Sequence, residues 1–430
     1  MRPSYRRVPT ALAILPLVVT VLSVSRTPAS AATYRVLSRR TVAPGVVFTK
    51  LVESSPQNHI FVLRVNLSRK PSLDTALASR ALGGFERTSS MAARLGAVAA
   101  VNGDFSEWWG RPAHAFARDG AFEFTAMRGG PQFAISRDER TGFVGLTTPR
   151  IEAWLPKTAT PISVTRWNAG SPATDSLAAY SPAGVPKSPD GTCGVKLRAS
   201  GPPSWTTGKA AVTRSYAVRA RRCGNGFATR YRLVLAANPS TASASRIQAL
   251  RRGQTVKVSW TLGWPDVHET IGGFPVLVSG DRAVATAHCA SYFCDRNPRT
   301  GIGLTPKGRL LLVVVDGRRP GWSSGMRLDE FANLFVYLGA DRAMNLDGGG
   351  SSTMVVRGHV VNRPSDSTGE RPVSSSLLVR SGYDPGDPKA SLTAPPEGPA
   401  GLSREEAARA ALDDPGSTGG MLEVLSAQRP

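Results

Sequence analysis

The chain has 430 residues, of which 41% are hydrophobic and 20% are charged, a composition typical of a globular protein with a sizeable core. Its formal net charge is +22, which favours polyanionic partners. Because no nucleic-acid recognition motif or basic helix accompanies this charge, the sequence disfavours nucleic acid and favours an anionic polysaccharide. A general compositional preference for arginine is the alternative explanation.

The N-terminus has the pattern of a secretory signal peptide over residues 1–31. Arg2, Arg6 and Arg7 precede an apolar stretch at 11–24, and a small-residue cleavage motif, Ala29-Ser30-Ala31, follows. The apolar stretch is short for a membrane span, although an uncleaved anchor is the alternative. We therefore predict a secreted, extracellular protein without stable membrane insertion after signal removal.

Residues 33–150 predict strands and short helices that form the N-terminal part of a domain. A small-residue apolar strand at 97–101 runs directly into Asn102-Gly103-Asp104, which places a carboxylate at a strand exit. Trp108 and Trp109 follow in the same loop. Tryptophans in such a loop either stack on sugar rings or pack against the core, and the sequence leaves both open.

Residues 151–265 are rich in Pro, Ser, Thr and Gly and contain short alternating strands, which predicts an inserted β-rich module. Four cysteines, an even number in an exported chain, favour two disulfides. We favour Cys193–Cys223 and Cys289–Cys294, because each pair lies within one local region, although three connectivities are open. A cysteine metal site is disfavoured because no CxxC or histidine cluster accompanies these residues.

The rest of the chain divides at residue 383. Residues 266–383 contain most of the motifs. Residues 384–430 are rich in Pro, Gly, Asp and Ala, and predict a disordered tail.

A strand–helix–strand pattern places two aspartates at strand ends. The apolar run 309–315 predicts a fully buried strand that ends at Asp316, and the short strand 343–346 ends at Asp347. Between them lies a helix whose apolar residues share one face: Leu328, Phe331, Leu334, Phe335 and Leu338. If both strands belong to one sheet they are parallel, so both carboxylates lie at the same edge, where ligands bind in α/β sheets.

Asp347 is followed by three glycines and two serines, Gly348 to Ser352. Three consecutive glycines are costly to order, and they are expected where backbone approaches a ligand or adopts positive φ. Their N–H groups and the serine hydroxyls could form an anion-binding nest. A tight loop into the next strand is the alternative, but the neighbouring Asp and Ser residues favour a functional site.

Two arginines of this block are candidate phosphate ligands. Arg299 lies in Asn-Pro-Arg-Thr-Gly, just before an apolar strand, and its guanidinium could bind phosphate in a bidentate manner. Glu370 and Arg371 form a second candidate pair before another strand. From spacing alone, the simpler interpretations are that Arg299 is a solvated loop arginine and that Glu370 and Arg371 form a solvated ion pair.

Six segments together resemble the phosphodiester glycosidase family: NGDF at 102–105, IGGFPVLVSG at 271–280, RNPRTGIG at 296–303, VVVDGR at 313–318, GMRLDEFANLFVYLGADRAMNLDGGGSS at 325–352 and PSDSTGERPV at 364–373. The resemblance implies an α+β, or mixed α/β, domain with a mixed sheet and flanking helices, with 151–265 as its β-rich insert. It also implies cleavage of a sugar-1-phosphate diester. Gly301 and Phe274 depart from the usual pattern near the expected pocket, which leaves sugar specificity open.

The resemblance also implies a set of site residues. The positions that match the family motifs are Asp104, Arg299, Thr300, Asp316, Asp347, Gly348, Gly349, Ser351, Glu370 and Arg371. In the mechanism that we predict, Arg299 and Arg371 bind the phosphate, and Thr300 and the Gly348–Ser352 loop, including Ser352, assist. Asp347 or Asp316 acts as nucleophile or base at C1, while Asp104 positions hydroxyls.

Two alternative functions remain at the level of sequence. A metal-dependent phosphodiesterase that cleaves P–O is disfavoured, because the chain has only five histidines and they are scattered. A non-catalytic wall-binding protein would explain the charge and secretion, but not the Asp-Gly-Gly-Gly-Ser-Ser motif. We predict no cofactor, with a calcium ion bound by the carboxylates as the alternative.

Overall fold

The computed structural model describes residues 34–69, 71–125, 130–205, 210–230, 232–285 and 292–381. The predicted signal peptide, the predicted tail at 384–430 and Cys289 of the predicted Cys289–Cys294 bond lie outside these residues. Among the helices of the described part, none has both the length and the apolar character needed to span a membrane.

The described elements are mostly strands. The first half of the chain forms β1 Tyr34–Ala43, β2 Val46–Ser54, β3 Gln57–Asn66, β4 Ser72–Leu77, α1 Thr88–Arg94, β5 Ala99–Asn102, β6 Phe116–Arg118, β7 Ala121–Phe124, β8 Gly130–Ser136, β9 Gly142–Thr147, β10 Arg150–Trp154, β11 Ile162–Trp167, β12 Leu177–Tyr180, β13 Cys193–Ala199, β14 Ser204–Trp205 and β15 Val212–Cys223. The second half forms β16 Leu233–Ala237, α2 Ala242–Gln248, β17 Thr255–Thr261, β18 Val267–Gly272, β19 Val276–Ser279, β20 Arg282–Ala283, β21 Arg299–Leu304, β22 Arg309–Val315, α3 Leu328–Tyr337, β23 Arg342–Asn345, β24 Met354–Val356, β25 His359–Val360 and β26 Ser375–Arg380.

The predicted α+β, or mixed α/β, fold with flanking helices is wrong. Strands account for 47% of the protein and helices for 10%. Two of the three α-helices in the described part are only 7 residues long. The apolar run that suggested a parallel α/β sheet belongs instead to an antiparallel sheet that is covered on both faces.

That run is β22, in the eight-stranded sheet β1-β2-β3-β22-β21-β23-β19-β20. Alternate residues of β22 face two apolar layers: one set packs with the small sheets, and the other packs against α3. An antiparallel strand buried on both faces reads as a continuous apolar run, just as a parallel strand does. The sequence signal was therefore correct for burial and ambiguous for topology.

The two strands of the predicted strand–helix–strand unit are nevertheless parallel, as predicted. β22 and β23 both pair antiparallel with β21, which lies between them, so they run parallel to each other. Their carboxyl ends, followed by Asp316 and Asp347, therefore exit at the same edge of the sheet. The predicted helix is present as α3, and Leu328, Phe331, Leu334 and Phe335 are buried along it.

Two five-stranded sheets pack against this core. One has the order β25-β24-β5-β26-β4, and the other has the order β7-β6-β18-β8-β9. Ile302 and Leu312 of the large sheet share a buried cluster with Val101 of β5 and Phe133 of β8. This packing fixes the exit of β5, and hence Asp104, relative to the large sheet.

Seven strands, in the order β13-β16-β12-β11-β10-β17-β15, close into a barrel because β13 also pairs with β15. These strands lie between Arg150 and Thr261 and enclose a separate apolar cluster that includes Trp167 and Trp260. Cys193 and Cys223 lie directly opposite each other on β13 and β15 and form the predicted disulfide.

Candidate active site at the edge of the large sheet

Asn102 joins three of the segments that the sequence singled out. Its side-chain amide donates to the Asp347 carbonyl at 2.7 Å, and its Oδ1 accepts from Thr300 Oγ1 at 2.8 Å and from the Thr353 N–H at 3.1 Å. The Asp347 N–H donates to the Gly103 carbonyl at 3.1 Å. This network brings the ends of β5 and β23 and the start of β21 to one place. The Thr300 hydroxyl thus donates its hydrogen bond within this network rather than to a ligand.

Asp347 is the carboxylate at the centre of this edge. Its side chain accepts the Gly348 N–H at 2.9 Å, and the residue is only 6% exposed. Burial raises the pKa of Asp347 to about 7, although the Ser351 hydroxyl and Arg371 favour the ionised form. A carboxyl group with a pKa near neutrality can exchange protons or act as a nucleophile at physiological pH.

Asp104 forms a buried pair with His114. One Asp104 oxygen lies 2.8 Å from His114 Nδ1, and the other accepts the His114 N–H at 2.7 Å. Burial alone would lower the pKa of His114, but the charge of Asp104 and its hydrogen bond outweigh burial and raise this pKa above its ordinary value. Asp104 in turn contributes to the raised pKa of Asp347. His114 was not predicted as a site residue, because an isolated histidine ten residues beyond Asp104 has no motif of its own.

The Gly348–Ser352 segment forms a tight turn whose N–H groups are largely used within the protein. The Gly349 N–H donates to the Pro298 carbonyl at 3.0 Å, and Ser351 and Ser352 donate back to the carbonyls of Gly348 and Gly349. This arrangement differs from the open anion nest that the sequence suggested. The hydroxyl of Ser352 is buried and has no hydrogen-bond partner among the described residues, so a bound ligand could supply one.

The glycines of this turn allow two arginines to approach the backbone. A Cβ on Gly350 would overlap the Arg371 guanidinium and the Asp366 carboxylate, and a Cβ on Gly349 would lie 3.1 Å from Arg318 Nη2. Gly349 also has a φ of +58°, which disfavours other residues. The glycines therefore make room for cationic groups beside Asp347.

The two arginines are oriented by neighbouring side chains. Arg371 donates to both oxygens of Asp366, at 2.7 and 2.9 Å, and is 6% exposed. Arg318 Nε donates to Asn297 Oδ1 at 3.0 Å. Arg318 was not among the predicted site residues, although it follows Asp316 within the VVVDGR segment. Arg318 and Arg371 together form a cationic border around the turn, and such a border suits a phosphate group.

Arg299 is 2% exposed, and backbone carbonyls accept hydrogen bonds from two of its three guanidinium nitrogens. Its Nε donates to the Met326 carbonyl at 2.8 Å, and one terminal nitrogen donates to the carbonyls of Phe293 and Asp295 at 2.8 and 2.6 Å. Burial, together with Arg318, lowers its pKa to about 9. This geometry favours a role in positioning the 293–326 wall over the direct phosphate contact predicted from the sequence.

Asp316 lies at the same edge but is saturated with hydrogen bonds. One of its oxygens accepts from Asn362 Nδ2 at 3.0 Å, the other from Trp322 Nε1 at 2.8 Å, and the Arg363 N–H approaches both. Burial raises its pKa, while these donors stabilise the charge. The carboxylate thus holds the Trp322 and Arg363 loops together.

Glu370 also has a structural partner. Its two carboxylate oxygens accept the N–H and the hydroxyl of Ser89, at 2.8 and 2.5 Å, in the first turn of α1. An acidic group at this position stabilises the start of a helix. Glu370 therefore anchors α1, whereas Arg371 borders the Asp347 turn.

The tryptophans after Asp104 are exposed. Trp108 is 61% and Trp109 is 72% exposed, in the loop that joins Asp104 to His114. This excludes core packing, which the sequence left open, and leaves the two indoles accessible for stacking on a sugar ring.

Metal-ligating side chains cluster elsewhere. Within the described part of the chain, Asp119, His268 and Glu269 can bring three ligand atoms within 4.8 Å of one another. The Glu269 oxygens already accept from Thr75 and from the Asp119 N–H. The carboxylates Asp104, Asp316 and Asp347 form no such group among the described residues.

Much of this edge lies in a segment that is similar to a known protein family. Residues 207–380 match the phosphodiester glycosidase family model. Human N-acetylglucosamine-1-phosphodiester α-N-acetylglucosaminidase is 41% identical over 86 residues, which is 20% of this chain and 16% of that protein. The SPbeta prophage-derived protein YomE of Bacillus subtilis is 39% identical over 84 residues, 20% of this chain and 13% of the relative. The chain thus matches less than a fifth of the length of these curated relatives.

The fold is shared with a solved structure. The crystal structure of an exported protein of Burkholderia pseudomallei superposes on this chain with a TM-score of 0.59 and 20% sequence identity. The match covers 82% of this chain and 97% of that one. At this identity the likeness shows the fold alone. The family match covers Arg299, Asp316, Asp347 and Arg371. The resemblance seen in the sequence is therefore confirmed: residues 207–380 match the phosphodiester glycosidase family model.

Proposed function

We propose that the protein hydrolyses the C1–O bond of a glycosyl phosphodiester, with Asp347 acting at the anomeric carbon. One observation supports this above all others: a buried carboxyl group with a pKa of about 7 lies beside two arginines that border the same glycine turn. A carboxylate suits an anomeric carbon that develops positive charge, and guanidinium groups suit a departing phosphate.

Asp347 and the two arginines have different roles in the proposed reaction. The C1–O bond breaks, and its electron pair remains on the phosphate oxygen, whose charge Arg371 and Arg318 stabilise. The oxygen of water ends on C1. Ionised Asp347 either takes the proton from this water or first attacks C1 itself; both roles require the same protonation state. A phosphate monoester is a stable anion, so protonation of the leaving group is needed less than in an ordinary glycosidase.

The remaining residues hold this arrangement. The Asp104–His114 pair fixes the loop that carries Trp108 and Trp109, where a sugar ring can stack. Asn102 and Thr300 set the position of the Asp347 backbone. Asp316, Arg299 and Glu370 act through the loops that they anchor.

We further propose that the protein acts outside the cell on an anionic polysaccharide that contains such diesters. The signal-peptide pattern and the net charge of +22 support this setting.

A substrate panel tests the proposed activity. Purified protein is assayed against glycosyl phosphodiesters, glycosyl phosphate monoesters and nitrophenyl glycosides, beside Asp347→Asn and the control Asp281→Asn, which changes an exposed turn residue. We expect free sugar from at least one phosphodiester, retained in the control and lost in Asp347→Asn. Equal activity of Asp347→Asn and wild type would contradict the proposal.

A further inference from the structure

A second candidate binding site lies at the barrel, away from the Asp347 edge. A cavity of about 420 Å³ lies between the barrel and the hairpin of β6 and β7. None of the residues in its wall belongs to the candidate active site. Its volume is within the range of small-molecule pockets, and junctions between structural units are a common place for them.

The wall of this cavity is strongly cationic. Arg80 and Arg118 approach from the hairpin side, while Arg214 and Arg232 belong to the barrel. Glu123 is the one acidic residue in the wall; it lies 3.5 Å from Arg118 and 3.4 Å from Ser181 Oγ. A wall that contains four arginines and one acidic residue favours an anionic ligand.

The same wall is aromatic. Trp167 and Trp260 line it, each 4% exposed, and the Phe122 ring packs between them with centroid distances of 5.8 and 5.3 Å. The Trp260 N–H donates to the Gly120 carbonyl, whereas the Trp167 N–H is buried and has no hydrogen-bond partner among the described residues. The small exposed part of these rings gives the cavity an apolar surface that suits the C–H groups of a sugar, and an unsatisfied indole N–H is a donor that a ligand oxygen could use.

We propose that this cavity binds an anionic saccharide, with arginines on its phosphate or carboxylate and aromatic rings against its sugar. The cavity is a non-catalytic site, so its existence does not depend on the activity proposed for Asp347. In a polysaccharide hydrolase it would hold a second part of the polymer and raise the local concentration of substrate.

Hydrogen–deuterium exchange locates the site without any substitution. The full chain is titrated with glucose 1-phosphate, with glucose and with inorganic phosphate. We expect glucose 1-phosphate to protect peptides from 116–124 and 212–218, and to do so more strongly than either fragment. Protection confined to peptides around 345–352 would overturn the proposal. If inorganic phosphate protected these peptides as strongly as glucose 1-phosphate, the sugar would not contribute to binding and the ligand would not be a saccharide. If glucose protected them as strongly, the charge would not contribute and the ligand would not need to be anionic.

Substitutions then test the charges. Arg80→Gln and Arg214→Gln change one arginine on each side of the cavity, and Arg198→Gln is the matched control on an exposed position of β13. Binding of glucose 1-phosphate at the barrel, measured by exchange protection, should weaken at least tenfold in the two cavity variants and remain unchanged in the control. Turnover of a small glycosyl phosphodiester at Asp347 should also remain unchanged. Unaltered binding in both cavity variants, with melting temperatures equal to wild type, would refute the site.

Discussion

Two aspartates leave the large sheet at the same edge, and both are buried, but they differ in the hydrogen-bond donors around them. At the end of β22, Asp316 accepts hydrogen bonds from Trp322, Asn362 and Arg363, and it anchors two loops. At the end of β23, Asp347 has few donors, is buried, and has a pKa of about 7. The same residue type at equivalent strand ends thus has a structural role in one case and a candidate chemical role in the other. What distinguishes them is the number of donors satisfying each carboxylate.

The largest effect expected from this difference is on turnover. Asp347→Asn should lower kcat by about a thousandfold or more, about 4 kcal/mol of activation free energy, with no decrease in melting temperature. Asp316→Asn should instead lower the free energy of unfolding by about 2 kcal/mol, because it disturbs several buried hydrogen bonds. Steady-state kinetics and thermal unfolding of both variants measure the contrast. If Asp316→Asn reduced kcat more than Asp347→Asn, the two roles would be reversed.

The arginines should show a similar but smaller contrast. Arg371→Lys should lower kcat/KM for a phosphodiester about a hundredfold, because an ammonium group cannot reproduce the planar contact with Asp366 and phosphate together. Arg299→Lys should act mainly on stability, since its guanidinium serves three carbonyls. Arg309→Lys, on an exposed position, is the control. Unchanged kcat/KM in Arg371→Lys would remove that residue from phosphate binding.

The protonation state of Asp347 predicts the pH dependence of the rate. Since the ionised form is required, kcat/KM should rise about tenfold per pH unit below 7 and level off above it. The residual activity of Asp347→Asn should lack this limb. A rate that instead fell with increasing pH between 6 and 8 would indicate that the protonated carboxyl is the active form.

The same pKa has a smaller consequence for stability. Because the pKa of Asp347 in the folded state, about 7, exceeds the ordinary value near 3.9, its contribution to stability is full at acid pH and is lost as pH rises towards 7. Asp347→Asn lacks this loss. The variant should therefore gain stability relative to wild type between pH 5 and pH 8, by up to about 3 kcal/mol, in denaturant titrations. A difference that is constant with pH would contradict a raised pKa.

Part of this site was accessible from the sequence. Asp316 and Asp347 were predicted because a buried apolar strand has a recognisable end, and α3 was predicted because its apolar residues recur with helical spacing. The Cys193–Cys223 bond followed from local pairing. The strand end and the helix are features that neighbours in the chain determine.

The rest depended on tertiary contacts. A continuous apolar run does not distinguish a parallel strand from an antiparallel strand covered on both faces, and so the predicted fold class was wrong. His114 became recognisable only through its contact with Asp104. Whether Arg299 contacts a ligand or three carbonyls depends on where residues 293–326 fold, which no local pattern encodes.

The position of bond cleavage tests the proposed function most directly. A purified preparation, free of phosphatase, is allowed to hydrolyse a glycosyl phosphodiester in water enriched in oxygen-18, and both products are analysed by mass spectrometry before the anomeric oxygen exchanges. Attack at carbon, with Asp347 at C1 and the arginines on the departing phosphate, predicts the label on C1 of the sugar and an unlabelled phosphate monoester. Label in the phosphate would mean that the P–O bond breaks, and would contradict the assignment of this site as a glycosidase.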